Sequence, residues 1–256
     1  MSARATVLDD LAAAAVRRAE KLKEHTSFDE LYKRAIHFEK RDFAGALAAP
    51  GLAVISEIKR ASPSAGFIRE VDPAAWATGY EQEGAGCLSV LTEPDCFKGS
   101  LEDLDAARKA TAIPVIRKDF TVDEVQVLEA ATRADAVLLI AALFDAASLA
   151  RYVSLATEVG LTPLVEIHDE EEAERALESG AKVIGVNNRD LRDFTVDLGT
   201  FEKLAPRFPE AILVAESGVT TPKDGRRLRN AGADAVLVGE AAMRDPSLVA
   251  KLSALP

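Results

Sequence analysis

Glu57 and Lys59 stand two residues apart at the end of the apolar run 53–58, and the chain then breaks into Arg60-Ala61-Ser62-Pro63-Ser64-Ala65-Gly66. Side chains two apart on a strand leave by the same face. A carboxylate and an ammonium therefore emerge together where a buried strand meets a loop. Such a pair suits proton transfer or the holding of an anion. On this stretch alone a structural ion pair would look the same. The difference lies in whether other stretches aim polar groups at the same place.

Other stretches do so. Later apolar runs end in Thr92-Glu93, in Arg117-Lys118-Asp119, in Glu166, in Asn187-Asn188-Arg189, in Glu216-Ser217 and in Gly239-Glu240. The run at 136–141 ends with nothing ionisable and is expected to supply an apolar wall. Each charged residue alone has a structural explanation, as a solvated loop charge, a salt-bridge partner or a helix cap. Two lysines and at least two glutamates facing one mouth would instead couple electrostatically and shift one another's titration. That is equipment for general acid-base chemistry on a negatively charged substrate.

The elements that must position these groups repeat along the chain. Eight apolar runs are expected as strands at 53–58, 87–91, 114–116, 136–141, 162–167, 183–186, 211–215 and 235–238. Amphipathic segments at 73–83, 101–110, 123–132, 146–159, 169–179, 197–204 and 222–230 fall between them and read as helices. Asp72-Pro73 and Thr221-Pro222 give start signals, and Gly84, Gly160, Gly180 and Gly232 stand where helices should stop. Strand runs of Val, Ile and Leu without alternation suit a parallel sheet covered on both faces. The expected fold is α/β, a (β/α)8 TIM barrel in one domain spanning 1–256, with 1–50 as an N-terminal helical extension (helices at about 6–24 and 28–40). An open doubly wound sheet would call for a glycine-rich dinucleotide turn, and none is present.

At the last two strands, Glu216-Ser217-Gly218-Val219 and Val238-Gly239-Glu240-Ala241 put small residues at the openings. Exposed backbone N–H groups there would hold a phosphate. The net charge of −11, from 31 basic and 42 acidic side chains, argues against a nucleic-acid partner. No apolar run is long enough for a membrane span, and the N-terminus lacks a signal-peptide core. Cys87 and Cys96 fit no metal or redox spacing, and His25, His37 and His168 fit no ligand pattern, so no metal is expected. A reduced, cytoplasmic protein is the expectation.

The blocks Ser56-Glu57-Ile58-Lys59-Arg60-Ala61-Ser62-Pro63-Ser64, Ser89-Val90-Leu91-Thr92-Glu93, Arg117-Lys118-Asp119-Phe120, Leu164-Val165-Glu166-Ile167, Gly185-Val186-Asn187-Asn188-Arg189-Asp190-Leu191 and Ala215-Glu216-Ser217-Gly218 resemble the indole-3-glycerol phosphate synthase family over nearly the whole chain. That resemblance implies ring closure of 1-(2-carboxyphenylamino)-1-deoxyribulose 5-phosphate with loss of CO₂ and water, a carboxy-lyase reaction of tryptophan biosynthesis that needs no cofactor. It implies Lys118 as general acid, with Glu57, Lys59, Glu166 and Asn187 as the other catalytic residues. The division of steps among Lys59, Lys118, Glu57 and Glu166 stays open at this point. Asn187 and Arg189 would orient substrate or hold Glu57. Ser62, Phe97, Phe120, Arg189, Glu216 and Ser217 would bind substrate, and Gly218, Gly239 and Glu240 (through its backbone N–H) the phosphate. Ser62-Pro63-Ser64 reads as a cover over the mouth. Glu240 departs from relatives that place serine there. A monomer is expected. The alternatives are a phosphoribosylanthranilate isomerase-like barrel and a non-catalytic phosphometabolite-binding barrel.

Overall fold

The computed structural model describes residues 7–190 and 194–256. Among them, eight parallel strands form a closed barrel: β1 (Ala53–Ile58), β2 (Cys87–Leu91), β3 (Val115–Lys118), β4 (Ala136–Ile140), β5 (Thr162–Ile167), β6 (Val183–Asn187), β7 (Ile212–Glu216) and β8 (Ala235–Val238). Each pairs with its chain neighbours, and β1 closes the ring by pairing with β8 through Ala53–Ala235 to Ser56–Val238. The expected (β/α)8 TIM barrel is therefore observed.

Strict alternation within each strand divides the core in two. Ile55, Cys87, Ile116, Leu138, Leu164, Val183, Val214 and Leu237 share the barrel interior. Their neighbours Val54, Leu88, Val115, Leu139, Val165, Ile184, Leu213 and Val236 pack outward under the helices. Runs that look uniformly apolar are thus two faces buried against different partners.

The expected third strand, 114–116, is too short at its far end: β3 runs on through Arg117 and Lys118, which pair with Val90 and Leu91 of β2. Its charged end hid the continuation. Arg117 faces outward, where its guanidinium meets Glu129 at 2.9 Å and Asp119 at 3.2 Å. Smaller shifts occur elsewhere. The run at 136–141 yields to a 3₁₀ turn at Ala141–Leu143, and Asp123 and Asp169 lie one residue outside their helices as N-caps. Gly84, Gly160, Gly180 and Gly232 all have positive φ, as their helix-end placement requires.

The N-terminal extension comprises α1 (Val7–His25), α2 (Phe28–His37) and a short α3 (Phe43–Leu47). Residues 1–6 of the expected extension lie outside the described residues. The second helix ends three residues before the expected position 40, at an extended Phe38. α3 was not legible as a helix, yet it plugs the N-terminal end of the barrel: Phe43 and Leu47 are fully buried in the interior cluster. Buried Asp135, at the entry of β4, fastens this segment by accepting the N–H groups of Arg41 and Val115 (both 2.8 Å) and pairing with Arg108 at 2.9 Å. At the other end of the barrel, α1 reaches the mouth and is tied there by Arg18, 2.7 Å from Asp119. No helix among the described residues is long and apolar enough to cross a membrane.

Candidate active site

Continuing the inward series of each strand toward its C-terminal end brings the side chains to one mouth. From β1 comes Glu57, from β3 Lys118, from β4 Ile140, from β5 Glu166, from β6 Asn187, from β7 Glu216, and Gly239 follows β8 in the same register. All of them line one cavity of about 710 Å³. So do the remaining expected catalytic residue, Lys59, and the other expected substrate and phosphate residues: Ser62, Phe97, Phe120, Arg189, Ser217, Gly218 and Glu240.

Lys118 is the centre of the charged floor. Its ammonium donates to Glu166 Oε2 at 2.6 Å and to Glu216 Oε2 at 3.1 Å, and both carboxyl groups are almost wholly buried. Burial works against a charged lysine. The negative field of the neighbouring glutamates, Glu166 foremost, outweighs it and holds the Lys118 pKa above its ordinary value. The two glutamates are pushed apart. Burial would raise Glu166, but Lys118 and His168 hold it well below the usual carboxylate range. At Glu216, burial, reinforced by Glu166, overcomes the pull of Lys118 and pushes the carboxyl up to about 8. One carboxylate and one carboxylic acid thus flank one ammonium at neutral pH, so different environments give like groups different tasks.

Asn187 differs from expectation in its partner. Its Nδ2 donates to Glu166 Oε1 at 3.1 Å and does not hold Glu57. β6 lies beside β5 in the ring, whereas β7 and β8 stand between it and β1, and adjacency decides the contact. Glu57 instead pairs with Lys59 at 2.6 Å, the two emerging together as their spacing required. Arg189 accompanies Asn187 to the cavity, with its N–H on Asn187 Oδ1 at 3.0 Å and its guanidinium on the Phe194 carbonyl at 3.1 Å. Leu191, quoted in the same block, lies outside the described residues.

Several polar strand ends do structural work. The Glu93 carboxylate accepts the N–H groups of Asp95, Cys96 and Phe97 and so shapes the loop that presents Phe97. Thr92 and Asp119 join the outward network of Arg117, and Asn188 Nδ2 donates to the carbonyls of Glu216 and Ser217. Phe97 and Phe120 stand 6.2 Å apart between ring centroids. With Leu138 and Ile140 they form an apolar wall, and Leu8 and Leu11 of α1 extend it. That helical contribution went unforeseen, since nothing in an amphipathic repeat says which surface it will meet.

The opposite rim is backbone-rich. Ser217 and Gly218 both adopt positive φ. Gly239 precedes the one-turn helix Glu240–Arg244, and the Glu240 carboxylate is turned to Arg244 at 2.8 Å. Arg244 also lines the cavity and was missed; its spacing of four from Glu240 was the available signal. Ser62, on the hairpin Ala61–Ser62 with Gly66–Phe67, accepts the Ala65 N–H at 3.1 Å and borders the cavity with Pro63 and Ser64. No group of three or more His, Cys, Asp or Glu among the described residues is placed to hold a metal ion.

Comparison with known proteins agrees with this geometry. Residues 8–255 match the family model described as indole-3-glycerol phosphate synthase. The chain is 49% identical over 247 residues to the indole-3-glycerol phosphate synthase of Streptomyces griseus, covering 94% of this chain and 92% of the relative. It is 50% identical over 248 residues to that of a Parafrankia species, covering 95% and 91%. Among solved structures, thiamine phosphate pyrophosphorylase from Pyrococcus furiosus is similar in fold alone, with a TM-score of 0.57 at 17% identity over 78% of this chain and 93% of that one. The chain belongs to the indole-3-glycerol phosphate synthase family.

Proposed function

We propose that this chain closes the ring of 1-(2-carboxyphenylamino)-1-deoxyribulose 5-phosphate and releases CO₂ and water to leave indole-3-glycerol phosphate, a carboxy-lyase reaction. The observation that carries the reading is the Lys118 ammonium held between the buried carboxyl groups of Glu166 and Glu216, at 2.6 and 3.1 Å, on the floor of a cavity with one apolar wall. The aromatic carbon that bears the carboxylate bonds to the ketone carbon, and the ketone oxygen takes a proton from the Lys118 ammonium. CO₂ then departs, leaving its electron pair to restore the aromatic ring. The new hydroxyl leaves as water with a proton from Lys59, and the neighbouring carbon gives its proton to Glu166.

Phe97 and Phe120 would pack the aromatic ring, while Gly218, Gly239 and the backbone of Glu240 would take the phosphate. Asn187 keeps Glu166 oriented, and Arg189 and Ser217 face the substrate. Ser62 would close over the phosphate end. A phosphoribosylanthranilate isomerase would use the phosphate rim but would not call for Glu57, Lys59, Lys118 and Glu166 together. The test is fluorescence detection of the indole product from the synthetic substrate, run beside an isomerase assay. Product only in the first assay is expected; turnover only in the second, or binding without turnover, would overturn the reading.

Glu216 gives a pH prediction. It carries its proton below about pH 8 and loses it above. Glu216→Gln imitates the protonated acid, so near neutral pH its kcat/KM should stay within about 10-fold of wild type. The change in activity that wild type shows on crossing about pH 8 should vanish. A pH–rate profile of Glu216→Gln that keeps that limb would refute the assignment.

A further inference from the structure

His168 has no part in the reaction as written, yet the chain buries it against the site. It follows β5 two residues after Glu166 and continues the same inward series. Its side chain is 12% exposed. Nδ1 lies 2.9 Å from Glu172 Oε2, and the same oxygen accepts the His168 backbone N–H at 2.8 Å. Glu172 can grip twice because it sits in the first turn of the helix Glu170–Ser179, where the cap residue Asp169 accepts its N–H at 2.9 Å. This grip turns the other ring edge inward. Nε2 stands 3.3 Å from Glu166 Oε1, within ion-pair reach, and is buried with no hydrogen-bond partner among the described residues.

We infer that His168, gripped by Glu172, is a positioning residue that fixes the orientation and charge of Glu166 from the side away from the substrate. The inference rests on the reaction proposed above. Glu166 is divided between partners: Oε2 receives Lys118, while Oε1 receives Asn187 and faces His168. The charged groups bearing on His168 are Glu166 from β5 and Glu172 from the helix Glu170–Ser179. Burial alone would drive the ring neutral; the two carboxylates outweigh burial and push it up to about 10. As imidazolium it donates Nδ1–H to Glu172 and holds its positive charge 3.3 Å from Glu166.

The consequence appears when Lys118 discharges. Once that ammonium has given its proton to the ketone oxygen, a buried Glu166 without another cation would tend to take up a proton. His168 remains positive at that moment. Glu166 then reaches the dehydration step still ionised, which is the only state in which it can act as a base.

The test uses ¹⁵N NMR of the intact chain carrying His25→Gln and His37→Gln, both exposed positions, so that His168 is the only histidine left. An imidazolium at about pH 8, where an unperturbed ring is neutral, is expected; a neutral ring would overturn the inference whatever the turnover. In kinetics, His168→Asn should lower kcat by roughly 10–100-fold with KM little changed, the size of loss that follows loss of an orienting partner. The acidic limb of its pH profile should move up by about one unit, because Glu166 loses a cation, and Glu172→Gln should move it the same way by less. A loss equal at every pH in both folded variants would mean a merely structural role and overturn the inference. If His168→Asn fails to fold, Glu172→Gln and the NMR measurement still decide it. Absence of synthase turnover in the unmodified chain would sink the proposed reaction and leave the NMR result standing.

Discussion

Replacing Lys118 by methionine lowers kcat by about 10³-fold or more while the barrel stays folded. The loss is large because no other cation can take over. Lys59, paired with Glu57 at 2.6 Å on β1, serves the later dehydration step in the proposed reaction, and Arg117, though adjacent in sequence, faces the opposite side of β3. The barrel survives because the deletion leaves little uncompensated charge. Removing one partner of a buried ion pair ordinarily costs about 3–5 kcal/mol, since the other is left charged and alone. Here Glu216 already carries a proton at neutral pH, and Glu166 keeps His168 and Asn187. Circular dichroism and a thermal melt should therefore resemble wild type while the fluorescence assay falls to background. Turnover within a factor of about 10 of wild type would remove Lys118 from the role of acid.

The same variant helps to separate the candidate reactions. A barrel that only binds a phosphorylated metabolite would keep its affinity in Lys118→Met, because the proposed phosphate rim lies at β7 and β8, across the mouth from β3. A synthase keeps affinity and loses turnover. Calorimetry with the substrate beside the kinetic assay would show both at once.

What could be read from the chain alone follows from parity. Glu57 with Lys59, and Asn187 with Arg189, are two apart, so their common destination needed no structure. Lys118 was legible as a group at the mouth but not as a strand residue, because Arg117 beside it broke the apolar run that marks a buried strand. Partners were less legible than places. Asn187 was expected to orient substrate or hold Glu57, and only the ring order, which sets β6 beside β5, selects Glu166. His168 shows the other limit. As a metal ligand it fits no spacing pattern; its two carboxylate neighbours, at spacings of minus two and plus four, come from a strand register and a helix turn that meet at one residue. α3 was missed because five residues are too few for a helical period, and its plugging role depends on the barrel end it fills.

Gly239→Ala should reduce kcat/KM by about 10²-fold or more without weakening the barrel greatly, and it tests the glycine in two capacities. A β-carbon built at Gly239 would collide with Glu57 Oε1 and lie 2.7 Å from Lys59 Nζ. Both atoms are the far ends of side chains that line the cavity, so they can yield without loosening the barrel, but only by leaving their present positions. The added methyl must therefore displace the Glu57–Lys59 pair by a substantial part of an ångström, and reacting groups misplaced by about that much lose roughly two orders of magnitude in rate. The same methyl would project from the backbone that is proposed to approach the phosphate, so KM should rise as well as kcat fall. Gly218→Ala provides the contrast. There the obstruction comes from Leu198 and Val196 side chains at 2.8 Å, together with a φ of +85°. That change should raise KM through the phosphate rim and leave kcat closer to wild type, because neither Glu57 nor Lys59 is touched. Equal effects of the two substitutions on kcat would mean that Gly239 serves only the phosphate, and that the packing of Glu57 and Lys59 against it has no catalytic consequence.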